Sequence, residues 1–409
     1  MKSSAVSLRP IQKMLILSLA ILFTCTACTT ANRRVIKNPD LNHYERQRGR
    51  YINLFPAKYK LLEESEFDRI DFRQPHEKGV RKYAFLSDPR GDIDRTKGYD
   101  ALEYTVAPDL SLLQSPASDV QITWIRHATV LIQLGKKYQI LVDPVLESID
   151  GLTGKFMKYA DIGKLYAEPP LTTRQLPFFE NSEDPGNKQI NIVAVSHNHY
   201  DHLNWNTIDQ LPLDTHFYVP LGLEDNFPSR YPKVTGMDWY TKDSIGGLTV
   251  YFVPATHWSG RSMHGPNRTL WGGWLFKWRN YSVYFAGDTG YSDGFKDIKA
   301  RFGAIDICLM PISAYFQRHV HLTPEDAICA AQDLGCREFI PWGWGTWIIS
   351  FEHILDPPRR LQYAWKEMKP KDMRLHLLNM GETVGFEKVA GKTLLVGSEA
   401  LISTSDNTP

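Results

Sequence analysis

The sequence predicts an α/β fold, and three observations carry the prediction. Short apolar, β-branched runs recur between residues 121 and 341, among them Ile190–Val195, Leu248–Val253 and Tyr281–Ala286. Helix signals fall between some of them. One starts near Thr207, and another is Thr323-Pro324-Glu325, where proline occupies a first helical turn. Three of the apolar runs lead directly into a histidine or aspartate: His197, His257 and Asp288.

At 409 residues the chain can form one large domain or two smaller ones. Its 43% hydrophobic content is ordinary for a globular protein. A net charge of +1 provides no basic surface for nucleic acid, so no nucleic-acid partner is expected. Residues 1–28 read as an export signal: Lys2, Arg9 and Lys13 precede the apolar stretch Met14–Phe23. Cys25-Thr26-Ala27-Cys28 resembles a lipoprotein signal, with Cys28 as the lipidated residue, and Thr29 resembles the outer-membrane sorting case. The expectation is an exported chain held on a membrane surface of the cell envelope.

Residues 29–118 read as a tether and extension: the first part, to about residue 60, is polar and basic and suits a tether or an arm draped over the domain, and the rest is charged, with a turn at Pro89-Arg90-Gly91-Asp92. The domain proper is placed at 119–386. Gln121–Ile125, Val130–Gly135 and Tyr138–Asp143 are its first strands. Residues 147–189 are a long polar connection, either a substrate-binding flap or a surface excursion. Phe217–Pro220, Ile305–Met310 and Glu338–Pro341 are further strands, and Pro324–Asp333 is a helix. Residues 387–409 are read as a frayed tail. Cys308, Cys329 and Cys336 lack C-x-x-C spacing and are read as small buried thiols.

The chemistry concentrates in His197-Asn198-His199-Tyr200-Asp201-His202, just after a strand. His197 and His199 can converge on one ion, while Asp201 and His202 can reach a second. His127 lies between two strands, as a structural hydrogen bonder or as a group near the substrate.

This H-x-H-x-D-H stretch resembles the signature of the metallo-β-lactamase superfamily. Together with Ala286-Gly287-Asp288-Thr289-Gly290-Tyr291, Trp124–Thr129 and Leu141-Val142-Asp143-Pro144, it resembles the branch containing N-acyl-phosphatidylethanolamine-hydrolysing phospholipase D and its bacterial outer-membrane-associated relatives. The resemblance covers roughly residues 120–358. It implies an αβ/βα sandwich of two mixed sheets flanked by helices, and a Zn²⁺ centre. By the same resemblance, His197, His199 and His257 hold the first ion, Asp201 and His202 serve a second, and Asp288 bridges the two. Asp143 orients a ligand histidine, Asp201 acts on the attacking hydroxide, and His321 helps place a phosphate. The implied reaction is phosphodiester cleavage of an N-acylated ethanolamine phospholipid.

One departure stands out. Aligned through Trp344-Gly345-Thr346, Gly343 occupies the position of a further ligand histidine. The first zinc ion is therefore expected firmly. A second would rest on Asp201, His202, Asp288 and water, unless His319, His321 or His353 reaches it. Trp258, Trp271, Trp274, Trp342, Trp344 and Trp347 either line an acyl groove or pack the core. The alternatives are hydrolysis of another ester, lactone or phosphodiester, and an envelope lipoprotein with a degenerate metal site. A serine hydrolase or nucleotide enzyme has no motif here.

Overall fold

The computed structural model of the protein describes residues 33–58, 96, 98–147, 165–179, 189–261, 265–350, 352–389 and 392–396. The export signal with Cys28, the Pro89–Asp92 turn, much of the 147–189 connection and the last residues of the tail lie outside the described residues. The strands, in chain order, are β1 (Arg34–Ile36), β2 (Tyr44–Glu45), β3 (Arg50–Tyr51), β4 (Val120–Arg126), β5 (Thr129–Leu134), β6 (Tyr138–Val142), β7 (Ile190–Ala194), β8 (His216–Pro220) and β9 (Val234–Met237). They continue as β10 (Lys242–Ile245), β11 (Leu248–Val253), β12 (Gly273–Trp278), β13 (Tyr281–Phe285), β14 (Ile307–Pro311), β15 (Glu338–Trp342), β16 (Arg374–Leu375), β17 (Thr383–Val389) and β18 (Lys392–Val396). The α-helices are α1 (Leu110–Gln114), α2 (Trp205–Asp209), α3 (Gly294–Phe302), α4 (Pro324–Leu334) and α5 (Asp356–Met368).

Two mixed sheets form the body. One has nine strands in the order β1-β9-β8-β7-β6-β5-β4-β17-β18, the other seven in the order β10-β11-β12-β13-β14-β15-β16. Alternation along the strands explains the layering. Val130, Ile132 and Leu134 of β5 enter the core between the sheets, while Leu131 enters a second core on the outer face. Ile192 and Ala194 of β7 divide from Val193 in the same way. A strand buried on both faces reads as a continuous apolar run, which is why these elements were visible in the sequence. Helices α3, α4 and α5 contribute Phe295, Ile298, Ile328, Leu334 and Leu361 to the large core. Ile208 of α2 joins the outer one.

Of the two readings of the first stretch, residues 33–58 form an arm on the domain: β1 pairs in parallel with β9, and Arg33 Nη2 donates to the carbonyls of Phe227 and Pro228 at 2.9 and 2.8 Å. Other expectations are corrected. The tail does not begin at 387, because β17 runs to Val389 and pairs with β4 and β18, carrying the sheet on to Val396. β1 and β18 are the two edges of that sheet, and edge strands need little apolar surface to pair. Within 147–189, Leu171, Leu176 and Phe178 are buried in the outer core, so residues 165–179 are packed structure. Helix α2 starts at Trp205, two residues before the expected point, because the Asn204 side chain caps it by accepting from Thr207 N at 2.8 Å. Cys329 is only half-buried, whereas Cys308 and Cys336 are buried; all three are free thiols.

The outer core holds a polar chain. Gln121 Nε2 donates to Gln133 Oε1 at 2.6 Å, and Gln133 Nε2 donates to Gln139 Oε1 at 2.7 Å and to the Leu113 carbonyl at 2.6 Å. Replacing Gln133 by Leu keeps the volume but strands two buried acceptors. The Gln133→Leu variant should lose about 1–3 kcal/mol of stability, read as a lowered thermal midpoint.

Candidate metal centre

The site assembles where strands of both sheets end. β7 leads to His197, β11 to His257, β13 to Asp288 and β6 to Asp143. The turn after β7 closes when His202 N and Leu203 N donate to the His199 carbonyl at 3.2 and 3.0 Å. That closure brings the three histidines and Asp201 around one point. Gly287 permits the last approach. Its φ is +62°, and a Cβ there would stand 2.5 Å from the Gly272 carbonyl oxygen. Gly272 N in turn donates to the Ser196 carbonyl at 3.0 Å, which joins the ligand loops of the two sheets.

Two groups of ligand atoms result. His197 Nε2 lies 2.7 Å from His199 Nδ1, and His257 Nε2 lies 3.4 Å from the same atom. Ligands of a tetrahedral zinc ion are separated by about 3.3 Å, so these three nitrogens could share one ion. On the other side, Asp201 Oδ2 is 3.7 Å from His202 Nε2 and 3.1 Å from His127 Nε2. Asp288 Oδ2 stands between the groups, 3.2 Å from His202 Nε2, 3.7 Å from His257 Nε2 and 4.0 Å from His197 Nε2. His321 Nδ1 is 3.8 Å from the same oxygen. His127, His197, His199, Asp201, His202, His257, Asp288 and His321 are thus brought together. His319 and His353 join none of the groups that could hold a metal among the described residues.

The surroundings set each imidazole's orientation. His202 Nδ1 is 2.7 Å from Asp143 Oδ2, His197 Nδ1 is 2.9 Å from Ser196 Oγ, and His257 Nδ1 donates to the Val320 carbonyl at 3.0 Å. In each case the opposite nitrogen faces the cluster, the arrangement that orients metal-binding histidines. Burial holds His197 and His257 well below the usual imidazole range and brings His199 down to about 4. Their lone pairs are therefore available at neutral pH. Burial would also lower His202, but Asp288, Asp201 and Asp143 outweigh it and raise it well above its ordinary value. Burial opposes ionisation of Asp288, yet His202 above all holds it well below the carboxylate range. Three carboxylates converging on one buried histidine make a setting that favours a dication. His199 Nε2 is buried and has no hydrogen-bond partner among the described residues.

Gly343 follows β15 with φ +101°, and its carbonyl accepts from Ser313 Oγ at 2.6 Å. A Cβ there would meet the Ser313 hydroxyl oxygen at 2.8 Å, so a side chain at 343 would require Ser313 to shift. Of the six tryptophans near the ligands in sequence, Trp271, Trp274, Trp342, Trp344 and Trp347 are buried. Trp258 is 39% exposed, and its ring meets the His199 ring at 4.1 Å.

Three contributors escaped the sequence reading. Ser196 touches both Asp143 and His197. Arg261 stacks 4.3 Å over Tyr200 and donates to the Leu203 carbonyl, while its Nε and Nη1 find no partner among the described residues. Asn53 binds the backbone of His257. Asn53 and Arg261 sit in no motif, and folding brings them to the loops they support, whereas Ser196 directly precedes His197 in the chain.

Residues 138–344 match the family described as Beta-lactamase superfamily domain. The chain belongs to that superfamily. Within it, the chain is 30% identical over 281 residues to N-acyl-phosphatidylethanolamine-hydrolyzing phospholipase D 1 of Caenorhabditis elegans, covering 64% of this chain and 74% of that one. It is 32% identical over 267 residues to an uncharacterized protein of Mycobacterium tuberculosis, covering 62% of this chain and 66% of the relative's length. Over 96 residues it is 38% identical to outer membrane protein RomA of Klebsiella pneumoniae, 23% of this chain and 72% of that one. A solved structure of a possible metal-dependent hydrolase from Veillonella parvula superposes with a TM-score of 0.48 at 17% identity, over 65% of this chain and 99% of that one.

Asp143 gives the sharpest test of the geometry. Asp143→Ala frees the His202 ring to turn and should weaken zinc binding by about 10–100-fold, measured by competition with a chromophoric chelator.

Proposed function

We propose that the protein is a metal-dependent hydrolase acting on N-acylated ethanolamine phospholipids, releasing phosphatidic acid and an N-acylethanolamine. The observation that carries this reading is the convergence of His197, His199, His257, Asp201, His202 and Asp288. It is supported by the similarity to a phospholipase D named for that substrate. Zinc bound at such a site supplies a nucleophilic water near neutral pH and neutralises charge developing on phosphoester oxygens.

The chain's own residues complete the work. His197, His199 and His257 would hold the ion, and Asp288 faces both candidate ligand groups. Asp201 orients the attacking water and takes up its proton, with its carboxylate placed by His127 Nε2 at 3.1 Å. His321, beside His257 and Asp288, orients the substrate phosphate. Arg261 adds a positive charge next to the loop bearing Asp201, suited to an anionic lipid. The exposed Trp258 ring offers an apolar surface to an acyl chain at the edge of the site.

The test combines elemental analysis of the purified protein with mass-spectrometric assay on N-acyl-phosphatidylethanolamine, a generic phosphodiester and a lactone. The expected result is at least one zinc ion per chain and preferential release of N-acylethanolamine. His199→Ala should lower turnover by about a hundredfold or more and lose the ion. Preferred turnover of the lactone or generic diester would move the substrate assignment. Gly343 motivates a second reading, an envelope lipoprotein without catalysis, which absence of both metal and turnover would favour.

The export signal and Cys28 support placing the chain in the cell envelope, lipid-anchored and facing a membrane surface. Among the described residues no helix is long and apolar enough to cross a membrane. Cys28→Ala should move the protein from the membrane fraction to the soluble fraction on cell fractionation.

A further inference from the structure

The segment 50–58 runs along the loops that carry His257 and Asp288. Asn53 Nδ2 donates to the His257 carbonyl at 3.0 Å, and His257 N donates to Asn53 Oδ1 at 3.1 Å. The same oxygen accepts from Trp271 Nε1 at 2.9 Å. Two N–H groups converging on one atom fix which end of the amide is oxygen. Neighbouring contacts extend the seam: Thr256 Oγ1 donates to the Phe55 carbonyl at 3.2 Å, and Lys58 N donates to the Tyr291 carbonyl at 2.9 Å. The two loops are also joined directly, since Thr256 N donates to Thr289 Oγ1 and Gly290 N to the Thr256 carbonyl, at 2.9 and 2.8 Å.

From this geometry we infer that Asn53, far outside the superfamily match, is a positioning residue for the first metal ion, clamping the peptide groups on either side of His257. The inference rests on reading His257 as a ligand. β11 ends at Val253, so the His257 backbone lies beyond any sheet ladder. Asn53 supplies what a neighbouring strand would: one donor and one acceptor spaced to meet a peptide N–H and C=O. The Val320 carbonyl orients the imidazole ring, while Asn53 holds the backbone from which that ring projects. Aspartate keeps the acceptor but turns a second oxygen toward the His257 carbonyl, and alanine supplies neither group.

The experiment compares zinc affinity of the full chain with that of Asn53→Ala, Asn53→Asp and Asn38→Ala. Asn38 pins the same segment elsewhere, donating to the Trp239 carbonyl at 3.0 Å, so it controls for docking of the segment as a whole. Both Asn53 variants should bind zinc about tenfold or more weakly. Their Co²⁺ forms should show shifted ligand-field bands, and the His257 amide should exchange faster with solvent. Asn38→Ala should keep wild-type affinity and spectrum. Wild-type affinity and spectrum in both Asn53 variants would overturn the clamp alone, as would an equal loss in Asn38→Ala. If Asn53→Ala does not fold, Asn53→Asp and amide exchange decide. A wild-type chain that binds no zinc overturns the metal reading and this inference with it.

Discussion

A buried carboxylate underlies the centre. Asp143 is fully enclosed at the end of β6, where burial raises its pKa against the opposing pull of His202 and Ser196. Ser196 N and Ser196 Oγ each donate to it at 2.6 Å, and His202 Nδ1 lies at 2.7 Å. A carboxylate without those partners would be costly in such a place. The requirement therefore works in both directions: Asp143 holds the ligand loop closed, and the loop satisfies Asp143. The turn demands a left-handed backbone at Asp143 itself, with φ +45°. Its carbonyl accepts from Thr129 Oγ1 at 2.7 Å, and its N–H donates to the Ala194 carbonyl at 3.0 Å.

From that point the site spreads over both sheets. Each ligand projects from a short loop after a buried strand, so its root is rigid while its tip faces the cleft between the layers. Gly287 lets the loops of opposite sheets touch, a Cβ there standing 3.0 Å from Ser196 Cβ, while Gly272 lets its own loop pass the Val253 carbonyl of β11. The segment 33–58 closes the structure from outside. It adds a strand to one sheet, lies against the His257 loop and sets Tyr51 in the large core, so it is part of the domain.

Gly343 shows how a departure from a motif is absorbed. Ser313 hydrogen-bonds to the Gly343 carbonyl, and its hydroxyl would crowd a Cβ placed at 343. The Asp201 side of the centre instead has His127, whose backbone is fixed by Trp124 Nε1 on its carbonyl at 2.8 Å and by Thr346 Oγ1 on its N–H at 3.1 Å. His127 thus links the β4–β5 turn to the same segment that lacks the histidine.

Much of this was legible in the residue order. Strands buried on both faces announce themselves as continuous apolar runs, and H-x-H-x-D-H after such a run marks a ligand loop, because both are local patterns. Edge strands β1 and β18 were not legible, since pairing at an edge asks for backbone groups rather than a hydrophobic side-chain pattern. The amphipathic helices α3 and α5 also went unmarked, lacking the Thr-Pro start that signalled α4. By itself the sequence determined the ligand types and their rigid strand-end placement. Only the tertiary structure decided which tryptophans stay buried, that Asn53 meets His257 and that Asp143 meets His202. Those contacts join residues far apart in the chain, and what selects them is the need to pair buried polar groups once the two sheets have packed.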